Sequence, residues 1–521
     1  MIRTQLVMVI SMLVLVSFTE GCSDQGDHGI DGGADAGLLP DKLPFELTRP
    51  DVGQAPSAAQ IDDFTKKITG FYKQVDYFRW CNWHSHGLAD DFDSNMPGYA
   101  LWWQDTVAIK ARDTVTFEHR GGADNLMIRT SKVLTNAIAG YLASGDMMMR
   151  KLLIDYCHGA VALFQGLEYE GEDPPAPYVP ARAIFTHNHS YTTEDGHKVV
   201  VDYDPVKKEK FDWNAHTVPN PDNPYFGSIW VRNMRSKDDV PHIWRTVPLL
   251  MRLVQDTDDE QVRKAASLAL EYFKGFAKDI VDNGYLIRTK EDHRTYVPTE
   301  EDNPDSVKDL ASFVGFEGAI PNAECDPKLT AALLAYEDPL DNDCGDGISP
   351  TYEAIATAGH YFNYAIVRYF HLAAITNALV LGKNKLAEQL LRGLITRVDA
   401  MMSDEEQRAA HREWDSDSAV FLLAAASSGL PLTAQEARLI QEQYSASVEH
   451  YLKFGLWNLW SMEVPDGQYD YIPSRNEGDR SFVRITEMVY LFEYCWSPWR
   501  NPAGVELVDC KRLLDPDKWG Q

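Results

Sequence analysis

Apolar side chains recur every three or four positions through most of this chain, and that spacing restricts its fold more than any other feature. Between residues 124 and 143 the apolar positions are Leu126, Val133, Leu134, Ile138, Tyr141 and Leu142, a stripe down one helix face. Residues 147 to 166 repeat the pattern, with the Met147-Met148-Met149 run expected to fill core. A second pair spans 240 to 256 and 259 to 281, where Val262, Leu270, Phe273, Phe276 and Ile280 recur and Gly284 follows. Ser349-Pro350 supplies a cap and a first-turn proline to a helix that runs almost without charge to Leu381. A helix that is apolar all round has to be buried all round. Segments 383 to 402, 415 to 428 and 433 to 454 follow, the last opened by Thr433-Ala434-Gln435-Glu436 in the form of a capping box. Residues 482 to 496 make the final helix. The expected class is all-α, with roughly ten to twelve helices in antiparallel pairs.

Strand signals are confined to excursions. Thr114 to Phe117 alternates, and Thr186 to Thr193 with His197 to Val201 flank Glu194-Asp195-Gly196 as a β-hairpin. Residues 170 to 235 are otherwise rich in proline, asparagine and aromatics, an excursion of the length that usually carries function.

Arg3 precedes an apolar run from Leu6 to Phe18, thirteen residues, followed by Thr19-Glu20-Gly21-Cys22. A membrane-spanning helix needs about 20 apolar residues, so 1–21 reads as a signal segment that is removed. The Gly21-Cys22 step resembles the lipobox of bacterial lipoproteins, although Thr19 and Glu20 depart from its usual pattern. The resemblance implies lipidation at Cys22 and export, with the chain held at a membrane it does not span; each buried methylene of the acyl chains contributes about 0.8 kcal/mol. Ser23 after the cysteine resembles lipoproteins sorted to an outer membrane. An ordinary secretory signal is the alternative, and it also exports the protein. The glycine and aspartate tract from Ser23 to Gly37 buries too little to offset its ordering entropy. Residues 22–55 are thus expected to be a lipidated tether, leaving 56–521 as a single large helical domain.

Lysine and arginine number 49 against 78 aspartates and glutamates, a net charge of −29. That disfavours nucleic acid and anionic lipid headgroups as partners, because both reward basic surfaces. Setting Cys22 aside, Cys81, Cys157, Cys325, Cys344, Cys495 and Cys510 remain. In an exported chain an even remainder suggests disulfides. The expected pairs are Cys325 with Cys344, Cys495 with Cys510 and Cys81 with Cys157, buried thiols being the alternative.

Three segments could carry chemistry. From Ser228 to Arg245, Trp230, Arg232, Arg235, Asp238, Asp239 and His242 gather at a helix start, where the dipole favours an anion. Ser236 and Asp239 could equally be an ordinary cap. On the expected hairpin His187, His189 and Tyr191 project from one face. Such groups abstract a proton beside a carboxylate that an arginine neutralises; a metal site and a solvated strand face are the alternatives. Trp83, His84 and His86 lie near Asp90, Asp91 and Asp93, and aromatic platforms beside carboxylates suit sugar rings. The alternative there is core tryptophans beside loop acids. Carboxylate pairs at Asp238/Asp239, Asp415/Asp417 and Glu477/Asp479 could serve hydrolysis. No P-loop, Rossmann fingerprint, GxSxG elbow or HExxH helix is present.

Helix pairs with long aromatic loops over residues 56 to 500 resemble the (α/α) toroid, without a diagnostic motif. That architecture hosts polysaccharide lyases and glycoside hydrolases. The resemblance implies a carbohydrate-active enzyme acting on an envelope or extracellular glycan, with an acidic sugar favoured by Arg232 and Arg235. The catalytic set would be His187, His189, Tyr191, Arg235, Asp238, Asp239 and His242; Trp83, His84, His86, Trp230 and Arg232 would bind substrate. A non-catalytic envelope lipoprotein that binds glycan or a protein partner is the alternative.

Overall fold

Paired helices carry the fold, and local side chains set their ends. The computed structural model describes residues 42–50, 53–75, 99–102, 106–111, 114–119, 126–169, 178–185, 189–192, 198–202, 217–232, 239–282, 290–291, 295–296, 365–403, 415–454, 469–471, 483, 487–488, 490–500 and 505–521. All belong to one unit, Gly37–Gln521. Helix α1 (Ala58–Val75) was not singled out by its apolar spacing, yet Ser57-Ala58-Ala59-Gln60 is a capping box. Ser57 N donates to Gln60 Oε1 at 2.8 Å and Gln60 N to Ser57 Oγ at 3.3 Å.

Helices α2 (Leu126–Ser144) and α3 (Met147–Gln165) turn through Gly145, at φ 68°, and Asp146, whose Oδ1 accepts from Met148 N and Met149 N at 2.9 Å. That cap leaves Met147 pointing outward, 67% exposed, so of the three methionines only Met149 is fully buried. Helices α4 (Asp239–Asp256) and α5 (Glu260–Asp282) turn at Asp259, which caps Gln261 N and Val262 N. Helices α6 (Ala365–Val380) and α7 (Asn384–Ser403) follow. In α6 every residue from Phe370 to Leu379 is buried, as its composition requires; its expected start at Ser349-Pro350 lies outside the described residues. Helices α8 (Asp415–Ser427) and α9 (Ala434–Phe454) come next. The expected capping box forms, with Thr433 N donating to Glu436 Oε2 at 2.8 Å and Glu436 N to Thr433 Oγ1 at 3.3 Å.

The last long helix is shorter than its spacing suggests. α10 spans only Tyr490–Trp496, before a single-turn α11 (Cys510–Leu513). Side chains of α1 and α9 take the backbone groups ahead of it. The hydroxyls of Tyr72, Tyr444 and Tyr451 donate to the carbonyls of Met488, Glu487 and Val483 at 2.6, 3.0 and 2.9 Å, and Val483 N donates to Ser447 Oγ. The expected bond between Cys495 and Cys510 is present. Cys157 is instead a buried free thiol on α3, so its expected pairing with Cys81 does not form. Burial in apolar surroundings pushes that thiol's pKa up. Cys325 and Cys344 lie outside the described residues.

Neighbouring helices close on themselves. α2 packs on α4, α4 on α6, α6 on α8, α8 on α10 and α10 on α2. Behind them α3 and α5 back α2 and α4 and touch each other, α7 backs α6, α9 backs α8, and α1 lies on α9. One continuous apolar core runs between these layers and includes Leu134, Ile138, Trp244, Leu250, Phe370 and Leu422.

The approach of residues 99–102 to α3 is close enough to require glycine. A Cβ at Gly159 would lie 1.8 Å from the carbonyl oxygen of Ala100, whose own N–H donates to the Asp155 carbonyl. Because the obstacle is backbone, relief requires moving the segment. Gly159→Ala is expected to destabilise by about 1–3 kcal/mol, measured by chemical denaturation; an unchanged midpoint would show that this approach is not maintained in solution.

Strands amount to more than hairpin excursions, and the domain is mostly helical rather than all-α. β1 (Thr106–Ala111), β2 (Thr114–His119), β4 (His189–Thr192), β5 (Lys198–Asp202) and β10 (Tyr469–Tyr471) form a sheet ordered β10-β1-β2-β5-β4. Its β2–β5 pair is parallel. The expected hairpin is β4–β5, with His189 opposite Val201 and Tyr191 opposite Val199. A second sheet, β3-β7-β6, joins β3 (Ala183–Phe185), β6 (Thr217–Asn223) and β7 (Gly227–Arg232). Pro219 and Pro221 obscure β6 in the sequence, and its place at the sheet edge tolerates them. β8 (Lys290–Glu291) and β9 (Thr295–Tyr296) pair separately. Among the described residues no helix is long and apolar enough to cross a membrane.

Candidate functional site

Buried polar side chains concentrate in the N-terminal halves of the helices that close on one another. α2 carries Arg129 and Lys132, α4 carries Asp239, His242 and Arg245, and α6 carries Arg368 and Tyr369. Glu487 lies just before α10, which carries Tyr490 and Glu493. Spacings of three keep the α2, α4 and α10 sets each on one face, while the adjacent Arg368 and Tyr369 of α6 point to different neighbours, Phe421 and His242.

These faces meet in one cluster. Lys132 Nζ and Arg129 Nη1 reach Glu487 Oε1 at 2.5 and 3.4 Å. Arg245 Nη2 bonds Glu493 Oε1 at 2.6 Å, and its Nη1 lies 3.4 Å from the Tyr490 hydroxyl. The Arg245 guanidinium also lies over the rings of Tyr369 and Tyr490, at 5.4 and 5.3 Å. His242 and Tyr369 have ring centroids 4.7 Å apart, and Arg368 stacks over Phe421. Tyr369 is half-buried, so the cluster approaches the surface beside His242.

Its charge runs opposite to that of the whole chain. Among the described residues four cations, Arg129, Lys132, Arg245 and Arg368, stand against the carboxylates of Asp239, Glu487 and Glu493. Burial, and then the charges of Lys132, Arg245 and Arg129, hold the His242 pKa well below its ordinary value. The imidazole is therefore neutral at physiological pH. Burial pulls the Arg245 pKa down, but Glu493, Tyr490 and Tyr369 more than offset it, so the guanidinium stays charged. Burial pushes the Glu493 carboxyl up, against the pull of Arg245. Arg245 Nε is buried without a hydrogen-bond partner, a donor left over for an anionic group.

Of the residues expected from the sequence, Asp239 and His242 lie in the cluster, on the first turns of α4. Trp230 and Arg232 sit on β7, paired across to Phe185 and Ala183; Trp230 packs against the core. His189 and Tyr191 are alternate residues of β4, in the other sheet. Trp83, His84, His86, His187, Arg235, Asp238 and the lipidation residue Cys22 lie outside the described residues. Sequence reasoning passed over Arg129, Lys132, Arg368, Glu487 and Glu493. Their signal was present in principle: charges on the helix faces that the apolar stripe marks as buried.

Among the described residues no three His, Cys, Asp or Glu side chains are grouped to hold a metal ion. No family model, curated protein or solved structure matches this chain.

Proposed function

We propose that the body is an (α/α) toroid and that the protein is a carbohydrate-active enzyme cleaving an acidic glycan, with its centre at His242. Support for the toroid comes from the closed row α2, α4, α6, α8, α10 and its outer helices. The observation that carries the activity is a neutral imidazole embedded among cations in a chain of net charge −29. Such a centre suits β-elimination at a uronate. Arg245 holds the sugar carboxylate and stabilises the charge that develops on it. His242 takes the proton from the adjacent carbon, the glycosidic C–O bond breaks as the ring double bond forms, and the Tyr369 hydroxyl gives its proton to the leaving oxygen. Hydrolysis is less favoured, because Glu487 and Glu493 are both committed to ion pairs.

Incubating the purified protein with a panel of polyuronates and glycosaminoglycans is expected to release products with the ultraviolet absorbance of an unsaturated uronate. New reducing ends without that absorbance would replace elimination by hydrolysis. Glycan binding with neither signal would leave the non-catalytic reading.

The N-terminal residues support export and anchoring through Cys22. Labelled palmitate is expected in the wild-type protein and not in Cys22→Ser; equal labelling of both would remove the lipoprotein assignment.

A further inference from the structure

The β6–β7 turn presents an aromatic side chain that the His242 centre does not use. Tyr225 is 47% exposed, and with Met147 it is one of two large apolar side chains so exposed among the described residues. Its backbone is bolted down. Asn223 Oδ1 accepts from Tyr225 N and Phe226 N at 3.0 and 2.9 Å, while Asn223 Nδ2 donates to the carbonyls of Gln165 and Glu168. Asn220 Nδ2 donates to the carbonyls of Gly166 and Glu168. Both asparagines are buried, and together they satisfy carbonyls at the C-terminal end of α3. Gly227, at φ 66°, supplies the left-handed residue that the turn needs.

Burial, and then the charge of the Glu168 carboxylate, push the pKa of the Tyr225 hydroxyl up, which places the ring beside Glu168. Tyr178, whose hydroxyl pKa is raised by burial and then by the Glu271 charge, stands 5.7 Å from Tyr272 ring to ring and packs where a Cβ on Gly275 would be 2.2 Å from its ring. A rigid exposed ring loses little freedom when something stacks on it.

We propose that Tyr225 and Tyr178, flanked by Glu168 and Glu271, form a platform for an uncharged pyranose, separate from the His242 centre. The ring faces meet the apolar face of the sugar, and the carboxylates accept its hydroxyls. The same carboxylates repel a uronate. The platform also shares an end of the molecule with the His242 centre: the tight α2–α3 turn brings the C-terminal end of α3 level with the N-terminal end of α2, which carries Arg129 and Lys132. This inference rests on the glycan reading above and narrows it: the substrate is a mixed polymer with uncharged units near the acidic one.

Calorimetric titration of the full chain carrying His242→Gln, which suppresses turnover, tests the platform with neutral hexasaccharides of the gluco and manno series. Binding in the micromolar to millimolar range is expected, weakened about tenfold by Tyr225→Ala and kept within about twofold by Tyr225→Phe, which retains the ring. Circular dichroism of each variant checks that the turn substitution leaves the fold intact. Failure of any neutral hexasaccharide to bind, or equal affinity in Tyr225→Ala, overturns the platform. Binding that depends on Tyr225 in a protein that cleaves no polyuronate keeps the platform and rejects the His242 centre, so the two failures are distinct.

Discussion

His242→Gln is expected to lower turnover of the acidic glycan by about 100- to 10,000-fold, the range for removing a general base, while the thermal melt above pH 7 stays close to wild type. Glutamine approximates the volume of imidazole and can hydrogen-bond, but it cannot take up a proton at neutral pH. The wild-type pH profile should show no acid limb from this group near its ordinary value of about 6.5. Burial, Lys132, Arg245 and Arg129 all push its titration below that. The same depression makes stability pH dependent. As pH falls below about 6.5 the unfolded chain gains a proton at His242 that the folded chain refuses, so stability declines until the folded pKa is reached. Above that window the contribution is complete. Glutamine abolishes this slope, so the variant's unfolding free energy should fall less than that of wild type between pH 7 and pH 5. Retained turnover together with an unaltered slope would remove His242 from the centre.

Glu487→Ala should produce the largest loss of stability of any single change in the cluster, about 3–5 kcal/mol. Glu487 is the shared counter-ion of Lys132 and Arg129, and all three side chains are less than a tenth exposed. Deleting the carboxylate leaves two cations out of water beside a third, Arg245, and the desolvation penalty no longer has an opposing attraction. Glu487→Gln keeps the volume and loses the charge, so it should fall between the two. The triple substitution Arg129→Met, Lys132→Met and Glu487→Met should recover most of the loss, because an apolar set of similar size removes all three buried charges. Urea denaturation measures all three. A loss under about 1 kcal/mol in Glu487→Ala would mean that water reaches these cations and that the cluster is open.

The helices were legible because their signals are local. Residues three or four apart share a face whatever the rest of the chain does, so the pairs at 126–165 and 239–282 could be read from apolar spacing. Thr433 with Glu436 could be read from capping, and the hairpin at 189–202 from alternation around an Asp-Gly step. The bond between Cys495 and Cys510 spans only 15 residues. β6 was hidden because its two prolines are acceptable only at a sheet edge, and edges are defined by partners. Cys157 was misassigned for a related reason: spacing says which cysteines exist, while burial on α3 leaves this one unpaired.

What the amino-acid sequence settled alone is the helical period and the caps, which depend on neighbours a few bonds away, and the sign of the overall charge, which is a sum over composition. Where the charges gather was decided by tertiary structure. Lys132 and Glu487 are 355 positions apart and meet only because α10 returns to pack on α2. Their meeting depends on packing across a core that no short window of sequence contains, and the depressed pKa of His242 follows from burial there and from repulsion by the cations so gathered.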